Sequence, residues 1–101
     1  MIGRVWHGWT EPENADAYER LLRAAILPGI HRVTGYNGAY LLRRPAGNEV
    51  EFVTITLWDS IEAVRAFAGP EGRTAVVPPE ARKLLARFDD GSLHYDAVWC
   101  P

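Results

Sequence analysis

The chain predicts an α+β fold of the ferredoxin-like type, βαββαβ, with an antiparallel four-stranded sheet carrying its helices on one face. Three observations predict it. Stretches that alternate with period two are interrupted by two stretches with helical spacing; a turn composition joins the two middle strands into a hairpin; and the segment 49–58 is apolar on both of its faces. All 101 residues belong to one domain, since the length leaves no room for a second core.

The first strand, Ile2 to Trp9, alternates two sets of side chains: Ile2, Arg4, Trp6 and Gly8 against Gly3, Val5, His7 and Trp9. Thr10-Glu11-Pro12-Glu13 opens a helix, with Thr10 as hydroxyl cap, proline in the first turn and an early glutamate. Tyr18, Leu21, Leu22 and Ala25 stripe that helix opposite Glu19, Arg20 and Arg23, and Pro28-Gly29 is expected to stop it. Tyr36 to Arg44 and Glu49 to Trp58 are strands joined by Pro45-Ala46-Gly47-Asn48. Val53, Ile55 and Leu57 line one face of the second; Phe52, Thr54, Thr56 and Trp58 line the other. Asp59-Ser60-Ile61-Glu62 caps a short helix striped by Ile61, Val64 and Ala68 and ended by Gly69-Pro70. Residues 71–80 form a loop, Glu80 to Ala86 a short helix, and Asp89-Asp90-Gly91 turns into a last strand, Leu93 to Trp99.

Two helices cover only one face of such a sheet, yet the strand at 49–58 is apolar on both. A second copy against the open face resolves the conflict, so a homodimer is expected. A net charge of −2 without a basic block argues against nucleic acid. The absence of a leader or spanning stretch argues against a membrane and for a cytoplasmic protein. Cys100 stands alone and makes no internal disulfide.

The junction FVTITLWDSIEAVRAFAG, the strand GYNGAYLLRR and the closing HYDAVW resemble the antibiotic biosynthesis monooxygenase family of dimeric α+β barrel proteins, over nearly the whole chain. The resemblance implies a homodimer whose two sheets pack face to face, with a pocket in each protomer between sheet and helices. It also implies cofactor-free oxygenation of aromatic polyketides as the best-known activity, beside a branch that degrades haem. Of three residues that the cofactor-free oxygenases use, Trp58 matches the tryptophan; Thr54 stands at the asparagine position and Val64 at the tyrosine position. The haem branch uses a tryptophan where Phe67 stands and a histidine shortly after it, and 68–80 contains none.

Such oxygenation requires a base, an oxyanion donor and a dry aromatic cavity. The candidate bases are His7, on the first strand between two tryptophans, and His94, on the last beside Tyr95; His31 reads as a solvated loop residue. Parity groups Trp9 with His7, so both are expected on the ligand side, with Trp6 against the partner sheet or the core. Trp58, Thr54, Thr56 and Tyr40 are the remaining candidate substrate contacts, and Arg4, Arg43 and Arg44 are read as surface or interface groups. No histidine, cysteine or serine stands at a metal-ligand or nucleophile spacing, and no phosphate loop is present, so neither cofactor nor metal is expected. The functional expectation is a small cofactor-independent monooxygenase acting on an aromatic or polyketide-like metabolite. The alternatives are an oxygen-independent cyclase or isomerase on the same scaffold, and a non-catalytic small-molecule-binding dimer.

Overall fold

In the computed structural model, which describes residues 1–100, β1 (Ile2–Thr10) lies inside the sheet and is paired along both edges. On one side it runs antiparallel to β3 (Glu49–Trp58), from Ile2 opposite Trp58 to Thr10 opposite Val50. β2 (Tyr36–Ala46) continues the sheet beyond β3, joined to it by a tight turn at Gly47-Asn48. Gly47 takes φ +64°, a conformation that costs glycine little.

The other edge of β1 departs from the expectation of one final strand. β4 (Leu85–Phe88) covers Gly8–Thr10, and β5 (Leu93–Asp96) covers Ile2–Val5. Between the pairs Gly8–Phe88 and Val5–Leu93, β1 advances three residues and the outer chain five. The excess is taken up by the turn 89–92, where Asp89-Asp90-Gly91 is a poor strand but a good turn. The last strand is therefore shorter than expected, ending at Asp96 rather than Trp99.

The helices all lie on one face. α1 (Pro12–Leu21) starts after Glu11, whose side chain makes no cap, and the Thr10 hydroxyl is buried without a partner, so the expected threonine cap does not form. The helix does not stop at Pro28-Gly29 either. A π-helical stretch, Leu22–Ile26, widens it and leads into α2 (Leu27–Ile30), which has Pro28 in its first turn. A proline in a regular helix leaves one carbonyl unpaired and clashes with the preceding turn; the wider turn just before Pro28 accommodates both. The widening also shifts the apolar stripe: Ala25 is exposed, while Ile26, Leu27 and Ile30 face the sheet side.

α3 (Ile61–Ala68) begins at Ser60, whose Oγ accepts from the Ala63 N–H at 3.2 Å, as the capping signature predicts. α4 (Pro79–Leu84) ends two residues before the expected limit because Leu85 enters β4. Ala15, Tyr18, Leu22, Phe52 and Ala81 form the core between α1, α4 and the sheet. Trp58 is fully buried with Val64, between the rings of Tyr36 and Phe67 at 5.5 and 5.1 Å.

The opposite face carries Val5, Tyr40, Leu42, Val53, Ile55, Leu57, Leu93 and Tyr95, which the register places side by side. Tyr40, Leu42, Leu93 and Tyr95 are each about half exposed. Among the described residues, no helix is long and apolar enough to cross a membrane.

Candidate functional site

A cavity of about 60 Å3 lies between the sheet and the helix layer. This is several times the roughly 10–15 Å3 that a single water occupies on the same measure. Its floor is the helix-side face of the two central strands: Arg4 and Trp6 from β1, Thr54 and Thr56 from β3. Tyr18, Leu22 and Ile26 close it from the long helix, and Phe67 from α3. Val76, Val77 and Pro78 form the remaining wall, on the loop before α4.

That loop is held by backbone groups. The Ser92 N–H donates to the Arg73 carbonyl at 2.7 Å, and the Ala75 N–H donates to the Asp90 carbonyl at 2.9 Å. Arg4 adds a side-chain tie, its Nη2 donating to the Thr74 carbonyl at 2.8 Å. Trp6 is anchored where the outer strand bulges, its indole Nε1–H donating to the Asp89 carbonyl at 2.7 Å. The indole thereby satisfies a carbonyl in the turn where the outer strand's register shifts.

The polar groups of the wall differ in what they offer. Burial pushes the Tyr18 phenol well above its ordinary pKa, so it remains protonated near neutrality. Thr56 Oγ1 accepts from the Trp58 indole at 2.8 Å, which orients the hydroxyl. Arg4 is 6% exposed and lies over the Phe67 ring, 5.7 Å from its centre. Its pKa is drawn below the ordinary guanidinium value by burial.

The structure redistributes the residues singled out from the sequence. Thr54 and Thr56 line the cavity; Trp58 shares their face but is packed beneath α3 rather than in the wall. His7 and Trp9 lie on the open face of the sheet, and Trp6 is the tryptophan in the cavity, so the expected orientation of the first strand is reversed. Alternation separates the two sets but does not say which faces the helices. Gly8 shares the Trp6 face: a Cβ there would lie 3.0 Å from Leu85 Cδ2 and 3.2 Å from the Trp6 ring, so a larger residue would oblige those two side chains to shift.

His7 Nδ1 lies 3.8 Å from Glu51 and 3.9 Å from Asp89, and Glu51 also pairs with Arg44 at 2.6 Å. Arg87 stacks on Trp9 at 3.9 Å from the ring centre. Tyr40 is on β2, opposite Ile55 on the open face, away from the cavity. His94 does face the helix side, directly opposite Arg4 in register, but it stands behind Arg4 rather than in the wall. Its Nε2 is buried without a partner, and burial followed by the charges of Arg4 and Arg73 lowers its pKa. His31 is exposed and packs edge-on against Tyr36.

Sequence reasoning missed Arg4 and Trp6 as wall residues. Arg43 does tie the sheet to α1, through Asp16 at 3.1 Å and Glu19 at 2.9 Å, and Arg44 sits on the open face. Among the described residues, no three His, Cys, Asp or Glu side chains converge to hold a metal ion.

Solved structures share this architecture. The haem-degrading protein MhuD of Mycobacterium tuberculosis superposes with a TM-score of 0.64 at 19% identity, over 100% of this chain and 99% of its own. A Pseudomonas aeruginosa protein gives 0.59 at 23% identity, covering 95% and 94% of the two chains. A Bacillus cereus protein of antibiotic biosynthesis monooxygenase type gives 0.59 at 17%, covering 99% and 93%. At these identities the likeness is one of fold. Among curated proteins, none matches. The family model for antibiotic biosynthesis monooxygenases matches residues 1–78, from β1 through the loop wall of the cavity, and the chain belongs to that family.

Proposed function

We propose that the protein is a small monooxygenase whose chemistry takes place in the cavity between sheet and helices, on a ring compound held between Trp6 and Phe67. The observation that carries this reading is the wall itself: the aromatic side chains of Trp6, Tyr18 and Phe67 and a shell of aliphatic ones around a few fixed polar groups. In a cofactor-free reaction the substrate anion reduces dioxygen. One oxygen atom replaces the two hydrogens of a ring methylene as a carbonyl, and the other leaves as water with both of them. The chain's part is to exclude water, hold the ring and stabilise its anion. The wall that yields to a two-ring substrate is the loop at Val76–Pro78, which is held mainly by backbone hydrogen bonds at its ends.

The haem chemistry of MhuD does not fit this wall. It contains no imidazole, thiol or thioether, and its one phenol, Tyr18, is held protonated.

The functional unit in this reading is a homodimer joined through the open face, whose half-exposed Tyr40, Leu42, Leu93 and Tyr95 would be covered by the second sheet. Oxygen consumption with a panel of anthrones and naphthols tests the reaction. Uptake matched by one carbonyl per dioxygen supports it. Product formed equally well without oxygen would establish the cyclase or isomerase instead, and no product under either condition would refute an enzymatic role on these compounds.

A further inference from the structure

Arg4 is a buried cation without a counter-charge. No carboxylate among the described residues reaches salt-bridge distance from it, and the arginine–carboxylate pairs found among them, those of Arg23, Arg43, Arg44 and Arg87, lie at the surface or on the open face. Among the described residues its only hydrogen bond is from Nη2 to the neutral Thr74 carbonyl, and its Nε is buried with no partner among them. The Phe67 ring beneath it supplies a weak cation–π contact, well short of an ion pair in the interior.

Such an arrangement is destabilising unless something offsets it. Nor does the surrounding chain offset it: the residue paired with Arg4 across the strands is His94, whose own pKa is lowered first by burial and then by the charges of Arg4 and Arg73. A hydrophobic residue of similar length at position 4 would fill the same space without the penalty. The guanidinium is retained on the wall of an apolar cavity, with a free donor.

We propose that Arg4 is the anion-binding residue of this cavity, and that its ligand carries one oxyanion, a carboxylate or an ionised phenol or enol, on an apolar ring body. This rests on the reading of the cavity as the ligand site and adds the charge of the ligand. The guanidinium takes the oxygen at the Arg4–Thr56 end of the floor, while Trp6 and the aliphatic side chains of the long helix take the ring. A phenol or enol bound there is more acidic than in water, because the neighbouring cation favours its ionised form. The wall contains no histidine or carboxylate, so the acidity comes from Arg4 rather than from a base.

The test compares acids with their neutral isosteres by titration calorimetry at pH 7: benzoate against benzamide, and 2-naphthoate against 2-naphthamide. The wild-type protein should bind the acids about tenfold or more tightly, the scale of one charge-assisted hydrogen bond in a desolvated site. Arg4→Met should erase that preference while retaining the amides. Arg4→Lys should restore part of the preference even if Arg4→Met folds poorly. Equal binding of acid and amide by the wild type, or an undiminished preference in both variants, would overturn the assignment of Arg4 and leave the cavity reading standing. Failure of all four probes to bind would refute the cavity reading, and this inference with it. Naphthols join the panel to separate the two sources of the oxyanion. A naphthol whose pKa falls on binding points to an ionised phenol; carboxylate binding alone points to an acid.

Discussion

Replacing Trp58 and Trp6 in turn by phenylalanine should separate the tryptophan that holds the fold from the one that meets the ligand. Trp58 is fully buried, packed against Tyr36 and Phe67, and bonded through its indole to Thr56. Trp58→Phe removes that hydrogen bond, worth about 1 kcal/mol. It also leaves a void the size of half an indole between rigid neighbours, for roughly another 1–2 kcal/mol. A loss of about 2–3 kcal/mol lowers the melting temperature of a domain this size by roughly 10–20 °C. Trp6 is only half-buried, and its hydrogen bond to Asp89 is at an exposed position. Trp6→Phe should therefore cost less than about 1 kcal/mol, and move the melting temperature by no more than roughly 5 °C. Thermal unfolding followed by circular dichroism measures both, and calorimetry with 2-naphthoate measures what Trp6→Phe does to affinity. Equal destabilisation by the two substitutions, or unchanged affinity in Trp6→Phe alongside lost affinity in a folded Trp58→Phe, would refute the assignment.

Three further outcomes are expected. His94 is neutral in the fold because its pKa is lowered, so its contribution to stability is present above the unfolded value of about 6.5 and is lost as the pH falls below it; denaturant midpoints between pH 5 and 7.5 should show that fall in the wild type and a flatter profile in His94→Gln. Leu42→Glu, on the β2 edge strand beside Val53 of the open face, should convert a dimer to a monomer of 11.3 kDa by light scattering with the circular dichroism spectrum intact, whereas a wild-type monomer would contradict the dimer. Ser60→Ala removes the α3 cap and should cost about 1 kcal/mol in denaturant unfolding; no measurable loss would show that the bond to Ala63 contributes nothing.

Much of this architecture was legible in the chain because the local signals agreed with the tertiary ones. The two faces of β3 and the Ser60 cap each follow from a short stretch of sequence and appear where the pattern places them, and the turn expected at Pro45-Ala46-Gly47-Asn48 narrows to Gly47-Asn48 because β2 runs on to Ala46. What was not legible depends on residues distant in the chain. Pro28-Gly29 reads as a helix stop, and only the π-helical stretch before it allows the helix to run on. Leu85–Phe88 is too short to announce a strand, and its first two residues continue a helical stretch in the sequence; it becomes a strand because the C-terminal half of β1 has an open edge.

The site suffered most from the same limitation. Ile2-Arg4-Trp6 and Val5-His7-Trp9 each combine a large ring with a polar group, so composition cannot assign them to faces. Histidine is the natural candidate base, yet His7 faces Glu51 and Asp89 on the open face and Arg4 stands in the cavity. Gly8 was the available clue, since a glycine inside a strand marks a close approach on its own face, and Trp6 and Arg4 share that face.

The central claim is that the ligand binds between the sheet and the helices. The four tryptophans are natural reporters: Trp6 in the cavity wall, Trp58 buried beside it, Trp9 on the open face and Trp99 exposed near the end of the chain. Indole N–H resonances of 15N-labelled protein, followed during titration with 2-naphthoate, report on all four at once. The account predicts a saturable shift of the Trp6 resonance, a smaller one for Trp58, and none for Trp9 or Trp99. A saturable shift of Trp9 with Trp6 unmoved would place the ligand on the face of His7 and contradict it.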